Sequence, residues 1–396
     1  PVLGPLLFSI FINDLPGSLC HCSYLLYFAA SADDLLVLVE GDQRAALERA
    51  GTAWMERVTE WGQRVGVSVS ETKTVCMLLK GKCSPNRRPN VRVNGTGMRY
   101  VTSVKYLGVH ASERLNLKVH LVRMWEKVTN MVGMMRRVMR KEWGVQRQVT
   151  RMWYKGLFLA IMMYGASVWC VTMQHQYARD LLSAIQRVVL YASLNVCRTV
   201  STEAMQVLMG VLPWDLEVVR RGLRYWARKG DSLAEHPMSS ELNVDGMTKI
   251  ETFEAIDGQA YAKWQSRWDV SVKGRVLYKW ICDVRMAEVQ QHFKPGIYLG
   301  YLLTGHGSLN KHLCERGLSD SDECACGMPE DWEHVLDECI FYEDLRKDLE
   351  RCGITQINGQ TVLAGLIEDE AKYKALKRFA VEAFGRRRAG LREPNG

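Results

Sequence analysis

YLLYFAASADDLLVLV, residues 24–39, sets two acidic residues, Asp33 and Asp34, between two apolar runs of β-prone residues. Tyr24 to Phe28 and Leu35 to Val39 flank Ser31-Ala32-Asp33-Asp34, and Gly41-Asp42 stops the second run. The pattern predicts a hairpin with the carboxylates at its turn. Adjacent acids repel one another beside apolar walls, a cost that a bound divalent cation removes. A solvated acidic turn needs no ion, and taken alone the pair supports that plainer reading better.

Working outward, Leu6 and Phe8 to Ile12 read as a buried helix that ends at the turn cluster Asn13 to Gly17. The chain opens at Pro1 directly on apolar Val2 to Phe8, so it is expected to be the C-terminal portion of a longer protein. Downstream, Ala46, Leu47, Ala50, Ala53, Trp54, Val58 and Trp61 repeat with helical period, and Val75–Leu79, Val91–Val93 and Tyr106–Val109 read as short strands. Residues 1–112 are thus an α+β unit. Beyond them the period is helical to about residue 230. Residues 237–258 read as a polar connection, and 259–294 are helical again, with Trp264, Trp268, Leu277 and Trp280 as core candidates.

With 396 residues, 47% hydrophobic and 24% charged, the chain can bury several cores, and wholesale disorder is excluded. A formal net charge of +8 favours a polyanionic partner. Ten Lys or Arg between Lys118 and Lys155, against Glu126 and Glu142, equal that whole excess. There Met124, Val128, Met131, Met135 and Val138 form an apolar stripe, with Arg123, Lys127, Arg137 and Lys141 on the opposite side, suited to phosphate contacts. A solvated amphipathic helix is the alternative. Twelve scattered cysteines read as reduced intracellular thiols. The uncharged run Gly156 to Met173 is diluted by Gly, Ser, Thr, Tyr, Trp and Cys, and reads as a buried helix rather than a membrane span.

Cys324, Cys326, His334 and Cys339 have the spacing C-x-C-x7-H-x4-C, which suits a closed tetrahedral zinc site supplying folding energy to a short segment. Gly327 permits a tight turn after the first pair, while His312 and Cys314 read as spectators. Trp332 and the Lys and Arg around it are candidates for nucleic-acid grip. In the tail, Lys374, Lys377, Arg378, Arg386, Arg387, Arg388 and Arg392 face only Glu382 and Glu393, and fit a flexible phosphate-binding arm, a nuclear localisation signal or a solvated tail.

Several of these elements, in this order, carry a resemblance. Val2 to Phe8 with Phe11-Ile12-Asn13-Asp14-Leu15-Pro16, the Asp33-Asp34 turn, Val39-Glu40-Gly41 with Trp61 and Glu71-Thr72-Lys73-Thr74, and Lys105-Tyr106-Leu107-Gly108-Val109 together resemble reverse transcriptases of non-LTR (LINE-type) retrotransposons. The similarity runs on through Leu157 to Trp169 into the Cys/His segment, and looks most like arthropod elements that insert into ribosomal RNA genes. It departs at Ser31, where the family usually has an aromatic residue before Ala-Asp-Asp, and it lacks the strand bearing the third metal-binding aspartate.

The resemblance implies a partial palm at 1–112, a helical thumb at 113–190, a helical connection at 191–309, a CCHC zinc knuckle at 310–345 and a basic tail at 346–396. It implies Mg²⁺ (or Mn²⁺) on Asp33 and Asp34, Lys73 near the incoming triphosphate, and Tyr106, Leu107 and Gly108 in the primer grip. Zn²⁺ sits on the four Cys/His residues. The implied activity is two-metal RNA-directed DNA polymerisation, copying element RNA onto target-site DNA from deoxynucleoside triphosphates. It takes place inside the cell, in the nucleus at the site of integration, with no membrane partner. Two alternatives stand beside this: a non-catalytic nucleic-acid-binding remnant of a decayed element, and a C-terminal region contributing to endonuclease function, for which no Pro-Asp…Asp/Glu-x-Lys set is found.

Overall fold

A computed structural model describes residues 3–15, 25–79, 87–138, 147–194, 196–230, 233, 236–240, 242–290, 292–354 and 360–390. The chain divides into two compact units, Pro1–Val122 and Arg123–Gly396.

In the first unit the helix Arg44–Val65 buries Ala50, Trp54, Val58 and Trp61, which recur on one face at spacings of three and four. Strands Leu25–Ser31 and Asp34–Val39 pair antiparallel, with Phe28 opposite Val37 and Ala30 opposite Leu35. That face of the hairpin packs on the helix: Phe28 stacks on Trp54 at 6.3 Å, and Leu35, Val37 and Val39 join the same core. Around it lie two-stranded pieces: Val75–Cys76 with Arg99–Tyr100, Arg92–Val93 with Thr96–Gly97, and Ser103–Tyr106 with Val109–Ser112.

Two sequence expectations change here. The helix Leu3–Ile12 forms, but its apolar side chains are not buried, with Leu6 58% and Ile10 65% exposed. Its hydrophobicity runs all round the helix, so its own sequence does not say which side is covered. Tyr106–Val109 is not a continuous strand but the tip of a hairpin, in which Leu107 and Gly108 take φ of 45° and 84°. Two successive positive φ values are what a tight two-residue hairpin turn requires, and Gly108 is the residue that marks it.

The second unit is helical. Lys118–Val138 buries Met124, Val128 and Met135, with Val132 taking the place expected of Met131. The uncharged run is not one helix: a π-helical turn Tyr154–Phe158 leads into Leu159–Met162, the chain breaks at Gly165 (φ 64°), and Ala166–Trp169 follows. No single described helix is long and apolar enough to cross a membrane; only the pair Val149–Met162 and Ala166–Gln174, bent by 54°, meets that length and composition together. Tyr154, Phe158, Met162 and Trp169 of this pair are buried in the protein.

Helices Gln176–Ser193, Thr202–Met209 and Trp214–Lys229 surround the amide of Gln186, whose Nε2 donates to Tyr154 Oη and the Leu212 carbonyl. The expected polar connection at 237–258 ends early, because Lys249–Val270 is already helical. Thr248 and Glu251 form a reciprocal capping box, a T-x-x-E signal legible in the sequence. Trp264, Trp268, Leu277 and Trp280 are all buried, as their pattern predicts.

Candidate active site and metal centre

The acidic hairpin has two faces with different fates. Phe28 and Ala30 point to the core, while Tyr27, Ser31 and Asp34 share the opposite face, since strand side chains alternate. Ser31 pairs with Asp34, leaving Ala32-Asp33 as the turn, and Ala32 holds a left-handed φ of 51°. Asp33 and Asp34 are exposed and, among the described residues, no cation pairs with either. Such a pair is open to a metal, but two carboxylates do not complete the six oxygen ligands that Mg²⁺ takes.

The second hairpin carries Tyr106 on the strand that leads into its tip. The phenol of Tyr106 is held above its ordinary pKa, first by burial and then by the carboxylate of Asp34 and the phenol of Tyr27. The Tyr106 phenol is therefore within electrostatic reach of Asp34 and Tyr27, which share one face of the acidic hairpin. Lys73 is exposed on the turn after Ser70, where Thr74 Oγ1 donates to the Ser70 carbonyl at 2.7 Å. Among the described residues no hydrogen bond joins Lys73 to the aspartates.

Along Lys118–Val138, Arg123, Lys127 and Arg137 are exposed opposite the buried stripe. Arg123 pairs with Glu126 at 3.1 Å, a surface contact that a phosphate can displace. Lys141 lies outside the described residues.

Cys324, Cys326, His334 and Cys339 converge, with their ligand atoms all within 4.8 Å of one another. Cys324 Sγ is 3.7 Å from Cys339 Sγ, and Cys326 Sγ is 3.2 Å from His334 Nε2. Tetrahedral zinc with Zn–S near 2.3 Å separates its sulfurs by about 3.8 Å, so the donor set fits that ion. The sequence builds the site locally. Gly327, at φ 87°, closes the turn after Cys326 and donates its N–H to the Cys324 carbonyl. A π-helical turn His334–Glu338 then delivers Cys339.

Burial first, then the neighbouring thiols, push Cys339 up to about 12. A thiol that shifted would stay protonated without a cation. The sequence reading missed Glu338, whose carboxylate is 3.4 Å from His334 Nδ1, although its i+4 spacing on one turn signals the contact. His312 and Cys314 stay outside the cluster.

Trp332 and two of the tail arginines make contacts within the protein. Trp332 is buried edge-on against Trp280 at 5.4 Å, so its ring is not available for base stacking. The tail is helical as Glu370–Gly390 rather than flexible there. Arg386 pairs with Asp344 at 2.6 Å, and Arg387 reaches Glu330 at 2.7 Å and Asn310 Oδ1 at 2.6 Å. These arginines hold the last helix against the Cys/His segment; Arg392 lies outside the described residues.

Residues 1–111 match the family described as reverse transcriptase (RNA-dependent DNA polymerase). The chain is 45% identical over 385 residues to a retrovirus-related Pol polyprotein from type-1 retrotransposable element R1 of Bradysia coprophila, covering 97% of this chain and 38% of that protein. It is 41% identical to a corresponding R1 Pol polyprotein of Nasonia vitripennis, covering 99% and 96%. A 115 kDa protein in the R1DM element of Drosophila melanogaster is 38% identical and matches 98% of the chain, which spans 38% of it. No solved structure matches.

Proposed function

The chain belongs to the Pol polyprotein family of R1-type non-LTR retrotransposable elements, and on that premise we propose that it forms part of an RNA-directed DNA polymerase that copies element RNA at a nicked chromosomal target in the nucleus. The observation that carries the reading is the antiparallel hairpin that exposes Asp33 and Asp34 at its turn, inside the 1–111 match. Asp33 and Asp34 would hold Mg²⁺ (or Mn²⁺), with a further ligand from residues outside this chain. The metal, when bound, neutralises charge on the transferred phosphate and lowers the pKa of the attacking hydroxyl. Tyr106, Leu107 and Gly108 position the primer end, and Lys73 serves the triphosphate as a proton donor. Arg123, Lys127 and Arg137, with Lys141, grip template and primer phosphates without reading their sequence.

Cys324, Cys326, His334 and Cys339 would hold Zn²⁺ in a closed set of four, which leaves no position for a reacting water. That centre orders the C-terminal nucleic-acid-binding region. Among the described residues nothing in the geometry favours an endonuclease there.

The test is primer extension on an RNA template by this chain fused to the upstream part of the Bradysia relative. Asp33→Asn is expected to lower extension roughly 10³-fold, the equivalent of several kcal/mol of metal stabilisation. Extension that survives the substitution overturns the proposal. A second reading, a binding remnant without chemistry, is favoured by Ser31 alone. It predicts no extension even in Ser31→Tyr.

A further inference from the structure

Beyond the hairpins and the Cys/His centre, the second unit contains a cleft of about 640 Å³ between the middle of helix Gln176–Ser193 and the start of helices Thr202–Met209 and Arg275–Trp280. Its walls carry Arg187, Lys273 and Arg316, and Glu203 is the one carboxylate among them. Arg187 is fixed in place: Nη1 donates to the Val200 carbonyl (2.8 Å) and to Thr202 Oγ1 (3.2 Å), and Nη2 donates to the Arg198 carbonyl (2.7 Å). All three acceptors are neutral, so the guanidinium charge is held without being cancelled. Among the described residues none of the three cations forms an ion pair.

Thr199 lines the same cleft and is gripped by two histidines. Its Oγ1 is 2.7 Å from His306 Nδ1 and 3.1 Å from His312 Nε2, with the imidazole rings 4.4 Å apart. The helix Thr202–Met209, capped by Ser201, turns its N-terminal end to the cleft and adds the positive end of its dipole. A preorganised guanidinium, two further cations, hydroxyl groups and a helix N-terminus converge on one space, which is the donor set a phosphate ester takes. The volume exceeds a bare phosphate and leaves room for the sugar and base attached to it.

We propose that this cleft binds a phosphate group of a nucleic-acid strand, as a contact point separate from the polymerase hairpins and the Cys/His centre. The assignment rests on the reading of the C-terminal region as nucleic-acid-binding. It names where the strand is held.

The test is fluorescence anisotropy of a labelled single strand with the full chain, across a salt titration. Lys273→Gln/Arg316→Gln, both exposed positions, is expected to weaken binding about tenfold and to reduce the slope of log affinity against log salt by about 0.7 to 1.4. Ser183→Trp, also exposed on the cleft wall, alters no charge and is expected to weaken binding by obstruction, which general electrostatics would not do. Inorganic phosphate at constant ionic strength is expected to weaken strand binding by the unaltered chain more than by Lys273→Gln/Arg316→Gln; an equal effect on both would overturn the cleft as the phosphate site. Wild-type affinity and salt slope in both variants would overturn the cleft while leaving the Asp33 result untouched. No strand binding by the unaltered chain would overturn the cleft and the C-terminal binding region together.

Discussion

Ser31 stands where the family's aromatic residue precedes Ala-Asp-Asp, and the hairpin's alternation decides which neighbour could replace it. Phe28 cannot, because it is committed to Trp54 on the core side. Tyr27 is on the correct face and 54% exposed, but four residues along a strand is about 13 Å from Ser31. In the fused polymerase, Ser31→Tyr is therefore expected to raise primer extension where Tyr27→Phe leaves it unchanged. A gain from neither, with Asp33→Asn still inactive, would assign Ser31 no part.

His306 makes a second prediction at this scale. Burial, the adjacent His312 and Arg316 lower its pKa to about 4 from the ordinary 6.5. The unfolded chain thus takes up this proton first as acid is added. Its stabilisation is complete above about 6.5 and is lost as pH falls from there towards 4. His306→Asn should flatten the thermal midpoint over that window. A slope equal to wild type would refute the assignment.

Among the elements, the last helix is tied to the Cys/His segment by a nearly buried ion pair, Arg387 with Glu330, at 10% and 3% side-chain exposure. Removing one partner of such a pair strands a buried charge at about 3 to 5 kcal/mol. Arg387→Met is expected to destabilise the protein by that amount in urea unfolding, and Glu330→Gln/Arg387→Met to recover most of it. Equal loss in the single and double variants would show that packing of the arginine stem, not its charge, holds the helix. The Cys/His segment has its own test. Cobalt titration should give the visible bands of tetrahedral thiolate coordination, and Cys326→Ser should weaken binding and shift them. Absence of those bands in the unaltered chain would exclude the site.

For the whole molecule, charge and hydrophobicity are unevenly placed. Leu3, Leu6, Leu7 and Ile10 are each more than half exposed on one helix, a contiguous apolar surface of the kind that promotes association. Sedimentation velocity is expected to show self-association of this chain, relieved in Leu6→Glu/Ile10→Glu. A monomer before substitution would contradict this. The basic side chains divide differently. Arg386 and Arg387 form ion pairs with Asp344 and Glu330, whereas among the described residues Lys127, Arg137, Lys273 and Arg316 are exposed and form no ion pair.

The local patterns were legible in the chain itself: the hairpin from the two apolar β-prone runs flanking Asp33-Asp34, the helix from the spacing of Ala50, Trp54, Val58 and Trp61, and the cluster of Cys324, Cys326, His334 and Cys339 from C-x-C-x7-H-x4-C. Each is a short-range signal, because strand and helix periods and turn chemistry act over a few residues. Gly108 and the Thr248–Glu251 capping box were equally local, and a stricter reading of turn and cap rules reaches them. Pairings distant along the chain were not legible. That Trp332 is buried on Trp280, that Arg387 answers Glu330, and that Thr199 meets His306 and His312 depends on which surfaces pack together, and packing selects among many faces of similar polarity. The sequence alone therefore determined the acidic hairpin, the amphipathic helix and the Cys/His set, while only the tertiary structure decided which distant side chains meet and which charges stay exposed.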